Sequence, residues 1–471
     1  MFTRALRRRF PVLSNRNFRL LLADRFLAPM AAAFSLVGVS FAVLAATGST
    51  ADLSYVIAAQ VAPSLIFLLV GGVIADRIAP QLVIVAANVM IAVGEGTFGI
   101  LVLAGHPALW VMVCLELLTG TGMALFYPAS TALLPRIVPA DRMQEASAIS
   151  RLGMNAAMMA GAALAGACVA LFGAGWALAV CGIGMLGTVP LMLAIRVAPL
   201  DRPAGDPGSV RDAAPAHDTI CDQDSAVAQR SSVTSVFREL REGWSEFRSH
   251  TWLWATVLQF TVVLAAWCGG WQVLGPAVAR AHLGGAAAWG LISAADALGL
   301  IAGGLVALRW MPRRPILYVV LIGGAIAIAP LSLAIPLPLP LICLTSFGLG
   351  VAIELMAVLW TVTMAANIPA DKLARVSAYD ALGTTMGMPA GALVAGPIAA
   401  GIGVPATEYA AAAITLIATA LVLIPRDVRT MRSAAAAPAQ AAADAPVAPS
   451  PSAEPLVRAA PEVPVLAAVG K

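Results

Sequence analysis

The sequence predicts an all-α membrane protein with twelve transmembrane helices in two six-helix bundles. Three observations lead there. Apolar residues make up 60% of the 471 residues and charged ones only 11%, where a soluble chain carries roughly 25% charged residues. The apolar residues fall in runs of about 20, the length that crosses the hydrocarbon core as a helix. The basic residues collect in alternate connections between those runs. A soluble surface built from this composition would be one large apolar patch. A soluble enzyme, a nucleic-acid binder and a disordered chain are therefore excluded.

Reading the runs in order places spans at roughly 20–46, 53–75, 81–104, 108–134, 146–171 and 175–196, then 251–279, 286–308, 315–335, 339–366, 376–400 and 406–425. The breaks are short and turn-like, as in Gly105-His106-Pro107 and Gly401-Ile402-Gly403-Val404-Pro405. Arg7-Arg8-Arg9-Phe10 precedes a first run too long for a signal h-region, with eleven more after it. It reads as an uncleaved first span.

Basic residues stay on the cytoplasmic side of a membrane. With the N-terminus inside, every one of the 29 basic residues except Arg280 falls on that side, counting Arg25 and Arg151 at the inner ends of their helices. The expected location is a bacterial-type inner (plasma) membrane, with both termini cytoplasmic.

Cysteine and lysine usage exclude further chemistry. Cys114, Cys168, Cys181, Cys268 and Cys343 lie inside apolar runs, Cys221 lies in a polar stretch, and no C-x-x-C pair occurs. Buried packing fits them better than a metal site or a disulfide framework. Lys372 and Lys471 are the only lysines and neither closes a P-loop. No cofactor, metal or ATP is expected.

A polar stretch divides the chain into a bundle over 1–196, a linker with an interfacial helix over 197–250, a second bundle over 251–430 and an Ala/Pro-rich tail over 431–471, expected to be disordered. The linker opens with Asp201-Arg202-Pro203-Ala204-Gly205-Asp206, which suits a flexible chain. It ends with Val236, Phe237, Leu240, Trp244 and Phe247 on one helical face, a pattern that lies in a membrane interface. The bundles repeat each other. A shift of 230 residues aligns Pro139-Ala140-Asp141-Arg142 with Pro369-Ala370-Asp371-Lys372 and gives thirteen identities over the 28 positions from 139 to 166. Repeated bundles around a central site are a transporter architecture.

Gly71-Gly72-Val73-Ile74-Ala75-Asp76-Arg77, after span two, resembles the Gly-x-Leu-Ala-Asp-Arg signature of the major facilitator superfamily. Gly303-Gly304-Leu305-Val306-Ala307-Leu308-Arg309, after span eight, is a worn second copy without the aspartate. The resemblance implies the major facilitator fold, with Gly72, Asp76 and Arg77 latching one conformation. Asn15-Arg16-Asn17-Phe18-Arg19, Phe126-Tyr127-Pro128-Ala129 and the stretch from Pro139 to Ser150 are similar to the drug-antiporter branch that contains macrolide-efflux and enterobactin-exporter proteins. Two positions depart from that branch. Span five reads Gly161-Ala162-Ala163-Leu164-Ala165-Gly166 without the usual proline, and Glu116 stands where many proton antiporters have an arginine.

Carboxylates at membrane depth cost several kcal/mol unless paired or hydrated, which makes them functional candidates. The resemblance implies that spans one, four, seven and ten line a central cavity, so Glu116 and Glu354 lead as ligands for protons or a cationic substrate. Asp296 lies near the middle of span eight, and Glu95 between two glycines reads at least as well as packing. Asp24 and Arg25 could pair near the inner mouth and hold an anionic group. Arg151 and Asp380, at nearly equivalent repeat positions, are candidates for gating contacts or helix caps. Trp267, Trp271 and Gln272 could form an aromatic wall. No histidine lies deep, which excludes a histidine relay.

The expected activity is secondary active export of an amphipathic small molecule, a drug or siderophore-like metabolite, in exchange for protons. Protonation of Glu116 or Glu354 from outside would be followed by substrate displacing the proton inside. The expected partners are this substrate, protons and the lipid bilayer, with no nucleic acid, and the protein would act as a monomer. An uptake symporter or lysophospholipid flippase of the same fold, and a non-transporting membrane sensor, are the alternatives. No metal motif or acid–histidine cluster points to an enzyme.

Overall fold

The computed structural model describes residues 11–67, 79–105, 107–195, 241, 243–310, 312–335 and 337–431. All belong to one unit, Met1–Ser433. No strand occurs among them. Among the described residues, twelve helices are long and apolar enough to span a membrane: α1 (Arg16–Thr47), α2 (Thr50–Phe67), α3 (Pro80–Ala104), α4 (Leu109–Ile137), α5 (Met143–Phe172), α6 (Ala174–Leu193), α7 (Thr251–Leu283), α8 (Ala286–Ala307), α9 (Pro315–Ala334), α10 (Leu339–Asn367), α11 (Ala370–Ile402) and α12 (Val404–Val422). Each spans alone because a helix satisfies its own backbone groups without water.

Local chemistry sets the joints. Asn15 caps α1, its side-chain oxygen accepting from the amides of Asn17 at 2.9 Å and Phe18 at 3.4 Å. Gly48 ends that helix at φ 67°, a left-handed turn that a Cβ would strain. Ser49 then caps α2 by accepting from the Asp52 amide at 3.2 Å.

α9 breaks at Ile326–Ala327, between its segments Pro315–Ala325 and Ile328–Ala334. The Pro330 ring would meet the Ile326 carbonyl four residues back, which accounts for the interruption. α7 is π-helical over Trp267–Leu274 and again over Ala279–Leu283. Pro276, between the two stretches, has no N–H to return to Gln272, so the i−4 ladder cannot run through.

Within the first half, α3 packs on α4 and α6, and α1 packs on α5 and α6. Within the second, α8 packs on α10, and α11 on α7. The halves meet along α5–α8 and α2–α11. We call the side where α1 begins the basic face and the other the opposite face. Near the opposite face both halves share one core, which joins Val43, Leu53 and Val56 to Leu274, Ala392 and Ala395. Near the basic face, a separate core of Phe18, Leu21, Leu133 and Met192 belongs to the first half alone.

Polar contacts repeat this asymmetry. At the opposite face, the Arg280 guanidinium donates to the Leu44 carbonyl, and the Gly396 amide donates to Ser54 Oγ at 2.6 Å. Gly166 and Gly290 bring α5 and α8 together backbone to backbone: a Cβ on either would lie 2.7 Å from the other's Cα. The halves are sealed at the opposite face.

The described end of the linker is a short helix over 243–249. Phe247 is buried and Trp244 stacks on it at 5.7 Å, and both rings lie against Tyr379 of α11. Glu246 pairs with Lys372 at 3.0 Å. This helix docks on the start of α11 through those rings. Val236, Phe237 and Leu240, the rest of its predicted apolar face, lie outside the described residues, as do most of the linker and the tail.

Candidate functional site

A recess of about 330 Å³ lies among α7, α9, α10 and α11 of the second half. Phe260, Trp267, Trp360 and Asp380 line it together with the neighbouring aliphatic side chains and Thr384. Phe260 and Trp360 meet edge to face at 5.1 Å. The recess therefore offers aromatic edges and faces around one carboxylate. Asp380 is held in place: it accepts from Trp360 Nε1 at 3.1 Å and from Thr384 Oγ1 at 3.5 Å. The Trp267 indole N–H is buried with no protein partner. At 1.5 Å per residue, Trp360 sits about 10 Å from the basic-face end of its helix.

Arg151 and Glu354 form the second feature. Arg151 Nη2 lies 3.0 Å from Glu354 Oε1 and so ties α5 to α10 across the halves. Glu354 is 8% exposed, whereas the Arg151 side chain stands largely in the open. Glu354 packs beside Gly303 and Gly304 of α8, near the basic-face end of that helix. Glu354 supplies the charge from a packed site, and Arg151 reaches it from a mobile-length side chain on the facing half.

A third cluster is buried within the first half. Glu95 and Glu116 are fully buried. Ser35 of α1 donates to Glu95 at 2.5 Å, and Gln60 of α2 donates to Glu116 at 2.7 Å. Gln60 reaches Glu116 because α2 and α4 pack closely at Gly120, where a Cβ would lie 1.9 Å from the Gln60 carbonyl oxygen.

The remaining candidate residues lie at separate points of the fold. Glu116 does not line the recess; its side chain turns toward α2 and α3 inside the first half. Asp24 and Arg25 make no direct ion pair: neighbouring residues on a helix point about 100° apart, and each side chain finds its own partner. Asp24 is fully buried and accepts from Asn88 at 3.4 Å, while Asn88 also donates to Thr188 at 2.7 Å. Arg25 instead donates to the Ser130 carbonyl of α4 at 2.8 Å. Trp271 is not part of the recess wall: it is buried near the opposite face and packs on Trp289 at 5.4 Å. Arg151 bridges the halves, but Asp380 contacts only its own half. Asp296 is half-buried on α8, outside the recess lining, with Oδ1 unpartnered. Gly72, Asp76 and Arg77 lie outside the described residues.

Sequence reasoning passed over Trp360, Ser35, Gln60 and Asn88, which are single polar or aromatic residues inside apolar runs. It also passed over Glu408, which is fully buried near the start of α12, with neither carboxyl oxygen partnered. Its place two residues into the predicted span hid its depth, since the helix begins earlier, at Val404.

The profile of the Major Facilitator Superfamily matches residues 25–379, which reaches across both halves and through the Arg151–Glu354 bridge. The chain belongs to the Major Facilitator Superfamily. Solved structures share this fold at low identity. A mutant of the nucleoside transporter NupG superposes with a TM-score of 0.69 at 12% identity, covering 86% of this chain and 99% of that one. An auto-inhibited peptide transporter of the POT family gives 0.64 at 14%, covering 88% and 97%. A bacterial homolog of the human lysosomal transporter Spinster, inward-facing and unoccupied, gives 0.59 at 16%, covering 88% and 97%. Among curated proteins none matches the sequence significantly. This major facilitator chain is thus a multi-pass membrane transporter by family, and not a member of an enzyme class.

Proposed function

We propose that this major facilitator protein exports an amphipathic small molecule, of the drug or siderophore-like kind, in exchange for protons. The observation that carries the reading is the Arg151–Glu354 pair, an ion pair that joins the halves and that one proton would dissolve. The basic face is taken as cytoplasmic, so the sealed opposite face corresponds to an inward-open arrangement. Substrate would enter the recess from the cytoplasm and lie against Phe260, Trp267 and Trp360, with Asp380 favouring a cationic or hydrogen-bonding group. Parting of the halves at the opposite face would then expose it to the outside. A proton reaching Glu354 from outside would free Arg151, and its release inward would rebuild the pair. Apolar walls around few polar groups suit an amphipathic ligand. The drug-antiporter resemblance of the first-half motifs supports the outward direction.

The test is transport in everted membrane vesicles with an imposed pH gradient, using a lipophilic cation and a siderophore as separate probes. Accumulation that rises with interior acidity supports export by antiport. Movement of probe and proton in the same direction would support uptake by symport instead.

A further inference from the structure

We propose that the basic face of the second half carries a binding site for one anionic phospholipid, between the α8–α9 connection and the end of α12. Its headgroup lies against Arg309, Arg313, Arg314, Arg426 and Arg429. The first three stand in the connection after α8. The other two belong to a short helix, Arg426–Thr430, that follows α12. That helix is held in place. Val428 is fully buried, and the helix packs on the first segment of α9 and on the beginning of α7. The α8–α9 connection leads into the same end of α9, so both sets of arginines share one end of the half.

The charge there is unbalanced. All five arginines are exposed, and none takes part in an ion pair among the described residues. Asp427 is the only acidic residue of the segments 305–318 and 421–431. Elsewhere near the basic face cations find carboxylates: Arg142 meets Asp141 at 3.6 Å, Arg151 meets Glu354 at 3.0 Å and Lys372 meets Glu246 at 3.0 Å. Positive charges gathered without a counter-charge attract an anion. Guanidinium groups match phosphate oxygens two at a time, which an ammonium cannot do.

The surroundings select a lipid over a soluble anion. Leu305 and Leu308 at the end of α8, and Leu421 and Ile424 at the end of α12, are exposed; Leu308 is 82% exposed and Ile424 67%. These side chains give acyl chains a surface directly beside the arginines. Trp310 meets Tyr318 edge to face at 5.1 Å, and Tyr318 is exposed in the first turn of α9. Such aromatic rings sit at headgroup level in a bilayer, and basic clusters at helix ends bind anionic headgroups. Ile326 of α9 lines the recess, so a lipid that steadies the start of α9 bears on one recess wall. That consequence rests on the transport reading above; the existence of the site does not.

The experiment is lipid binding to the purified full-length protein in a neutral detergent, without gradient or transport substrate. The thermal midpoint is titrated with phosphatidylglycerol and, separately, with phosphatidylcholine of the same acyl chains. Bound lipid is counted by mass spectrometry of the intact protein. A preference for phosphatidylglycerol of about tenfold or more, with about one tightly held lipid per chain, supports the site. The R313Q/R314Q/R426Q/R429Q variant should lose that preference. A matched variant, R16Q/R19Q/R136Q/R142Q, removes four arginines from the basic face of the first half and should keep it. Equal loss in both variants would mean diffuse surface charge and overturns the proposal. Equal binding of the two lipids overturns it too, as does the same stabilisation by inorganic phosphate, which would make the patch a soluble-anion site. If the first variant does not fold, the lipid preference, stoichiometry and phosphate comparison in the unaltered protein still decide. Lipid binding without transport of any probe would leave the site standing and sink the export reading alone.

Discussion

Arg151 on α5 and Glu354 on α10 form an ion pair at 3.0 Å, and their helices belong to different halves of the molecule. Its two ends differ in setting, since the carboxylate is packed and the guanidinium is open to solvent. Removing the carboxylate charge therefore strands little buried charge, and the cost to folding is small. The cost to coupling is larger. Glu354→Gln should lower proton-driven flux by about tenfold or more with little change in thermal midpoint, whereas Arg151→Ala should lower both flux and midpoint, because it leaves the packed carboxylate without its partner. The exchanged pair R151E/E354R should regain part of the flux, as measured in reconstituted liposomes.

The seal at the opposite face depends on close backbone approach. Gly166→Ala places a methyl 2.7 Å from the Gly290 Cα, and overpacking of this kind costs about 1–3 kcal/mol. That strain exists only while the halves are closed there. The variant should therefore populate the arrangement open at the opposite face. Cysteines introduced at Leu44 and Arg280 should cross-link less readily in it than in the unaltered background.

Substrate recognition should track the recess. Trp360→Ala removes both an aromatic wall and the donor that holds Asp380, so it should raise the half-saturating substrate concentration more than it changes the maximal rate. Asp380→Asn should discriminate further, with transport of a cationic probe falling more than that of a neutral one. Trp271→Ala should affect stability instead, because that ring packs on Trp289 away from the recess.

The linker helix gives a pH-dependent prediction outside the membrane. Lys372, followed by His250, holds the Glu246 carboxyl below its ordinary value of 4.5. A carboxylate with a lowered folded-state value stabilises above its unfolded value, and that contribution is lost as pH falls through the folded one. Docking of residues 243–249 on α11 should therefore weaken below about pH 4.5. The effect is small, up to about 1 kcal/mol for a partly exposed pair. Faster amide exchange in this helix at low pH, reproduced at neutral pH by Glu246→Gln, checks it.

The fold was legible because its signals are long and repeated. Twelve apolar runs, one-sided arginines and the Pro139 and Pro369 blocks each report the bilayer or the duplication, and neither depends on side-chain detail. Helix edges were less legible: α7 runs on to Leu283 past Arg280 because that guanidinium finds the Leu44 carbonyl on the other half. The site was legible only as an inventory of deep charges. Depth along a helix can be read from sequence, but the direction of the side chain cannot. Glu116 and Glu354 lie on equivalent helices, about 10 Å and about 22 Å from the opposite-face end, yet one turns into its own half and the other meets an arginine of the facing half. Trp360 and Gln60 left no signal, since a lone aromatic or amide in an apolar run looks like ordinary packing.

The most direct measurement is probe accumulation in everted vesicles that carry either the unaltered protein or Glu354→Gln, with an imposed interior-acid gradient. Proton-coupled export through the Arg151–Glu354 switch predicts gradient-driven accumulation in the first and little or none in the second, at equal protein levels. Equal gradient-driven accumulation in both would contradict it.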